Sequence, residues 1–171
     1  ELGNFVSQNF YEPYGEKIKS PRPATDFEHG VQSYAGRFAV WIDVPRSKGS
    51  ESQFGKSRIR EVEAKVIADE AKRILEADPA ITLGVITFYR AQADLILDYL
   101  MEIDVADRDP ESGIVGIFSD QWKFTKDKSG DIVERLRVDT VDAFQGKEFD
   151  VSMLSTVRTP GASNLDPNRA F

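Results

Sequence analysis

The sequence predicts an α/β fold in which a parallel sheet is flanked by helices. Two observations carry that expectation. Short apolar runs alternate with longer stretches of three- and four-residue apolar spacing, giving the order strand, helix, strand, helix. The 171 residues are 40% hydrophobic and 30% charged, the balance of one ordinary globular domain. No apolar run approaches the roughly 18 residues that a spanning helix needs.

Each element follows from its local pattern. Residues 1–37 read as an irregular entry, because Pro13, Pro21 and Pro23, with Gly15, Gly30 and Gly36, interrupt any long element. The apolar run Phe38-Ala39-Val40-Trp41-Ile42-Asp43-Val44 predicts a strand covered on both faces, with Trp41 in the core. Residues 45–55 read as a polar loop. From Ser57 onward, Ile59, Val62, Val66, Ile67, Ala71, Ile74 and Leu75 predict a helix of about five turns, ended by Asp78-Pro79. Residues 81–87 predict a buried strand. The next helical stripe is Ala91, Leu95, Ile96, Tyr99, Leu100 and Ile103, with Asp94 and Asp98 on its solvent side. Parallel strands joined by right-handed crossovers fit this order.

Residues 104–134 break the rhythm and read as an inserted segment, with a strand at 114–118 and a turn at Asp127-Lys128-Ser129-Gly130. Trp122 lies in it, placed either in local packing or against a bound strand. Residues 136–141 resume as a strand, 142–146 as a turn and 151–156 as a last buried strand. Pro160, Gly161 and Pro167 mark a closing loop. The chain is thus an entry segment over 1–37 and one domain over 38–171 with an acidic insertion at 104–134.

Composition excludes much chemistry. Without cysteine there are no disulfides, thiolate zinc sites, iron–sulfur clusters or cysteine nucleophiles, and a reducing, cytoplasmic compartment is expected. One histidine, His29, rules out multi-His metal sites and is expected at solvent. The chain opens at Glu1 without a secretory pattern and reads as a piece of a longer protein. Of the net charge of −7, residues 102–134 carry −5, with 4 basic against 9 acidic residues. That balance argues against coating nucleic acid by bulk attraction, yet allows a narrow groove on one face.

Ligands of open parallel sheets sit beyond the carboxyl ends of the strands, and two such ends are unusually polar here. The first is Thr87-Phe88-Tyr89-Arg90-Ala91-Gln92. Its hydroxyl and the opening amides of the following helix can hold a phosphate, with Tyr89 as a stacking face and Arg90 as a fork, but the pattern alone slightly favours an ordinary helix start with Thr87 as cap. The second runs from Val138 through Thr140, Val141, Gln145, Gly146, Lys147 and Glu148 to Asp150. Glycine permits close backbone approach and a carboxylate can accept both hydroxyls of a ribose, but a charged strand–turn–strand connection has the same composition. No G-x-x-x-x-G-K-[ST] string occurs.

Taken together, the two segments and the run Val151-Ser152-Met153-Leu154-Ser155-Thr156-Val157-Arg158 resemble the second RecA-like motor domain of superfamily 1 helicases. The similarity is to the branch of the RNA-surveillance helicase and its DNA-replication and tRNA-splicing relatives. That family carries T-P-Y-x-x-Q, then V-D-x-F-Q-G-x-E, then S-x-x-R. The opening Asn4-Phe5-Val6-Ser7-Gln8-Asn9-Phe10-Tyr11-Glu12 is similar to its F-x-S-x-x-F-Y-x-G segment. Phe88 stands where the family has proline, and Pro13 where it has glycine. The resemblance implies a RecA-like fold of the P-loop NTPase type. It implies nucleotide contact at Gln145, Gly146, Lys147 and Glu148, and strand contact at Thr87, Tyr89, Arg90, Thr140 and Val141. It also implies ATP with Mg2+ as cofactor, single-stranded DNA or RNA as partner, no membrane, and an upstream RecA-like domain bearing the P-loop and the magnesium ligands. No complete catalytic set and no metal site are expected within this chain, so the isolated piece should not hydrolyse ATP.

Two rivals remain. A metal-dependent nuclease would use Asp43 with Glu63-Ala64-Lys65, but the helical stripe sets Glu63 and Lys65 about 200° apart. Against a helicase-like module that binds a strand or a protein without motor activity stand the intact Gln145, Gly146 and Glu148, and the flanking sequence decides between the two.

Overall fold

The computed structural model describes residues 5–17, 29–127 and 129–159. Strands β1 (Ser52–Phe54) and β2 (Ser57–Ile59) form a ribbon ahead of helix α1 (Glu61–Ala77). Strand β3 (Leu83–Thr87) and helix α2 (Arg90–Glu102) follow. The insertion holds β4 (Asp107–Arg108), β5 (Val115–Gly116), α3 (Asp120–Lys123), β6 (Phe124–Lys126) and β7 (Ile132–Glu134). Strands β8 (Leu136–Thr140) and β9 (Val151–Ser155) complete a parallel sheet of order β8-β3-β9. This is a mixed α/β fold of the expected kind.

The central strand takes the most apolar run, and its Leu83 and Val85 are fully buried. α1 contributes Ala64, Ile67, Ala71, Ile74 and Leu75, and α2 contributes Ala93, Ile96, Leu97 and Leu100. The two helices pack against each other and against the sheet. Each large apolar side chain so buried stabilises the fold by about 1.5–3 kcal/mol. Gly84 points the opposite way from Leu83 and Val85, and a Cβ there would lie 2.7 Å from Phe144 and 2.9 Å from Phe149. Those rings, 5.6 Å apart, lean on that bare patch and hold the chain between β8 and β9 against the sheet.

Polar clamps close the amino end of the sheet. Thr82 donates from its amide and hydroxyl to Asp150 at 2.9 and 2.7 Å, fixing the entry to β9. The buried Arg135 guanidinium donates to the Leu75 carbonyl at 2.6 Å and to the carbonyls of Asp78 and Gln121. It also stacks on buried Trp122, whose indole N–H reaches the Asp104 carbonyl at 3.1 Å. The insertion is therefore anchored where α1 ends and β8 begins. Trp122 packs locally.

Several expectations need correction. Residues 38–44 form no strand: Trp41 is 81% exposed and Phe38 62%. A strand exists by its ladder, and among the described residues this segment is hydrogen-bonded at its far end alone, where Arg60 takes the Val44 and Pro45 carbonyls. It runs beside the open edge of β9, with a groove of about 590 Å³ between them. For the same reason β9 is buried only in part, and its Leu154 is 57% exposed. The first long helix starts at Glu61, because Ser57 belongs to the ribbon. The insertion holds two antiparallel ribbons, and its predicted strand at 114–118 shrinks to two residues. His29 is half-buried: its Nδ1 accepts the Val31 amide at 3.1 Å while Nε2 donates to the Arg37 carbonyl at 3.1 Å. Asn4, Pro21, Pro23 and the closing loop from Pro160 lie outside the described residues.

Candidate nucleotide and nucleic-acid interface

The parallel register sets the carboxyl ends of the sheet level. Thr87 lies opposite Thr140 in β8 and opposite Ser155 in β9. Thr87 is fully buried, and its hydroxyl accepts the Tyr89 amide at 3.4 Å, so it shapes the turn after β3. Tyr89 itself occupies the cap position of α2, where its carbonyl accepts the Gln92 and Ala93 amides. Thr140 is half-buried and Val141 exposed at the start of a short helical turn. Arg90 joins the two predicted segments. Its guanidinium donates to Asp94 at 3.0 Å and to Asp139 at 3.1 Å, and Asp139 accepts the Thr140 amide at 2.7 Å. Its charge is thus largely balanced before any ligand arrives.

A buried polar network lies just beneath. The Gln92 side chain accepts the Arg60 amide at 2.8 Å and donates to the Ser155 hydroxyl at 3.2 Å. Ser155 donates onward to Glu63 at 2.7 Å, and Glu63 also accepts the Val157 amide and pairs with Arg60 at 3.2 Å. The starts of α1 and α2 and the exit of β9 are therefore one unit. Sequence reasoning assigned no such role to Arg60, Glu63 or Gln92. The available signal was a glutamate on the apolar stripe of α1, in line with Val66, Ile67 and Ile74. This use of Glu63 also removes the nuclease reading, because its carboxylate is spent on internal partners while Lys65 faces solvent.

The second predicted group stands apart from the first. Residues 145–148 lie between Phe144 and Phe149, the rings packed on Gly84, and so flank the face of the sheet instead of its carboxyl edge. Gly146 has φ 75°, the left-handed conformation that favours glycine, with open space where a Cβ would be. Gln145, Gly146, Lys147 and Glu148 are all exposed. Lys147 sits 3.7 Å from Glu134, which also binds Arg137 at 2.9 Å. The Glu148 carboxylate has no partner among the described residues and is open to accept two hydroxyls.

A third feature completes the carboxyl edge. Glu51 accepts the amide and hydroxyl of Thr159 and lies 3.4 Å from Arg158 and 3.7 Å from Arg58. Burial pushes its carboxyl up, but the Thr159 donors and the two guanidinium groups outweigh that and hold it below the usual glutamate value.

The fold agrees with the comparisons. A family model described as an AAA domain matches residues 1–168. The chain belongs to that family, the C-terminal helicase domain found in superfamily 1 helicases, with a P-loop NTPase-type fold. It is a helicase-like domain of a nucleotide-binding family. No curated protein matches the chain. Among the described residues, no helix is long and apolar enough to cross a membrane.

Proposed function

We propose that this chain is the second motor domain of an ATP-dependent DNA or RNA helicase, supplying half of an ATP cleft and half of a single-strand track. The observation that carries the reading is the separation just described. Thr87 and Thr140 stand level at the carboxyl edge, while the turn with the unpaired Glu148 occupies the flank. One rigid sheet can then touch a strand and a nucleotide at once, which is what coupling between them needs.

In this reading Glu148 binds the ribose, and Gln145, Gly146 and Lys147 line the base of the nucleotide site. Tyr89, Arg90, Thr140 and Val141 contact the strand backbone, whereas Thr87, expected to do so from the sequence, is fully buried and shapes the turn that presents them. Bound ATP with Mg2+ supplies the free energy of cleft closure, with the metal held by the upstream RecA-like domain. The residues of this chain orient the nucleotide and carry the strand as the cleft closes. The isolated chain is inactive, since it holds no complete catalytic set. The longer protein works in the cytoplasm.

The test is single-strand-stimulated ATP hydrolysis by the full-length protein beside its Glu148→Ala variant. Stimulated turnover with a raised KM for ATP in the variant supports the motor. Strand binding without turnover would instead identify a helicase-like binding module.

A further inference from the structure

We infer that the ribbon β1–β2 and the turn before it form a second contact surface for single-stranded nucleic acid, extending the track proposed above and resting on that reading. Residues 46–58 hold four basic residues, Arg46, Lys48, Lys56 and Arg58, against one acidic residue, Glu51, in a chain whose net charge is −7. Arg46, Lys48 and Lys56 are exposed and form no ion pair among the described residues. By contrast the neighbouring Arg90 is already matched by Asp94 and Asp139. The unpaired positive charge on this stretch therefore lies on the turn before the ribbon, at Arg46 and Lys48, and at the ribbon's tip, at Lys56.

Geometry aims the ribbon at the strand ends. Phe54 and Ser57 are directly opposed, and opposed residues of an antiparallel pair share a face. On that face the Ser57 hydroxyl accepts the Ala91 amide at 3.3 Å, in the first turn of α2 beside Tyr89 and Arg90. Phe54, 63% exposed, thus stands on the side turned toward the candidate track, where Phe88 is also 58% exposed. An apolar ring left in water at both places is costly packing but a ready platform for a base. The other ribbon face, with Gln53 and Arg58, is tied through Glu51 to Arg158 and Thr159 at the exit of β9. The platform is thereby fixed to the sheet. Cations that hold phosphates, interleaved with exposed rings that stack on bases, are the chemistry of a single polynucleotide strand.

The experiment is equilibrium binding of labelled oligothymidylate and oligouridylate by the full-length protein across a salt series. It compares wild type, the triple variant Arg46→Gln/Lys48→Gln/Lys56→Gln, Phe54→Ala and Thr140→Ala, with Lys126→Gln in the insertion as a control for loss of one cation elsewhere on the surface. All five proteins are first checked for equal melting temperature. For the triple variant we expect the slope of log affinity against log salt to flatten by about 2, at about 0.7 per lost phosphate contact. For Phe54→Ala we expect affinity to fall about tenfold with the slope kept. Lys126→Gln should bind as wild type. If Thr140→Ala weakens binding while the ribbon variants bind as wild type, the ribbon surface is refuted and the track stands. If wild type binds neither oligonucleotide, both fall.

Discussion

The two ends of the central sheet use polar residues in opposite ways. At the amino end, buried Arg135, Trp122 and Thr82, with the exposed Asp150 that Thr82 binds, spend their hydrogen bonds on backbone carbonyls and on each other. At the carboxyl end, Gln92, Ser155, Glu63 and Arg60 form a buried network, yet beside it stand exposed Phe88, Val141 and Phe54 and the unpaired cations Arg46, Lys48 and Lys56. The lesson is that buried polarity alone does not mark function. What distinguishes the carboxyl end is a buried scaffold with unspent groups on top of it. The acidic insertion is anchored at the amino end through Arg135 and Trp122.

The largest expected effect comes from breaking the scaffold. Glu63→Ala leaves the Arg60 guanidinium without its carboxylate and orphans the Ser155 hydroxyl and Val157 amide. It should cost about 3–5 kcal/mol in urea unfolding, as for a broken buried ion pair. Next is Gly84→Ala, which forces the Phe144 and Phe149 rings off the sheet and should cost about 1–3 kcal/mol. Because those rings hold the 145–148 turn, the same variant should weaken nucleotide binding, measurable by titration with a fluorescent ATP analogue. A normal nucleotide affinity in Gly84→Ala would mean that the turn is positioned by something else.

Smaller effects sharpen the contrast. Asp139→Asn removes one partner of the exposed Arg90 and should change stability by less than about 1 kcal/mol. The freed guanidinium should tighten strand binding at low salt. Glu51 gives a pH signature. Its folded carboxyl is held below the usual glutamate value, so its contribution is present above that value and is lost as pH falls through and below it. Thermal melts of wild type and Glu51→Gln should therefore diverge at neutral pH and converge in acid.

Much of this was legible in sequence, and the gaps have physical causes. The alternation of runs set β3, α1, α2, β8 and β9, because each is long enough for its period to register. Residues 38–44 show the limit: apolar pattern reveals an extended segment but not whether its backbone finds a ladder partner. The ribbon β1–β2 was invisible as structure, since two three-residue strands of mostly polar residues carry no period. Motif spacing did bring Thr87 and Thr140 together, but could not reveal that residues 145–148 drop to the sheet face. That depends on Phe144 and Phe149 finding the bare backbone of Gly84. Nor could spacing show that Arg90 spends its charge on Asp94 and Asp139.

The most direct test of the contrast between the ends is ultraviolet cross-linking of the full-length protein to a single-stranded oligonucleotide, with the attached residues mapped by mass spectrometry. Cross-links at Phe54, Phe88 and Tyr89 are the predicted result. Cross-links confined to Trp122 and Phe124 of the insertion would contradict it and move the strand to the other end of the sheet.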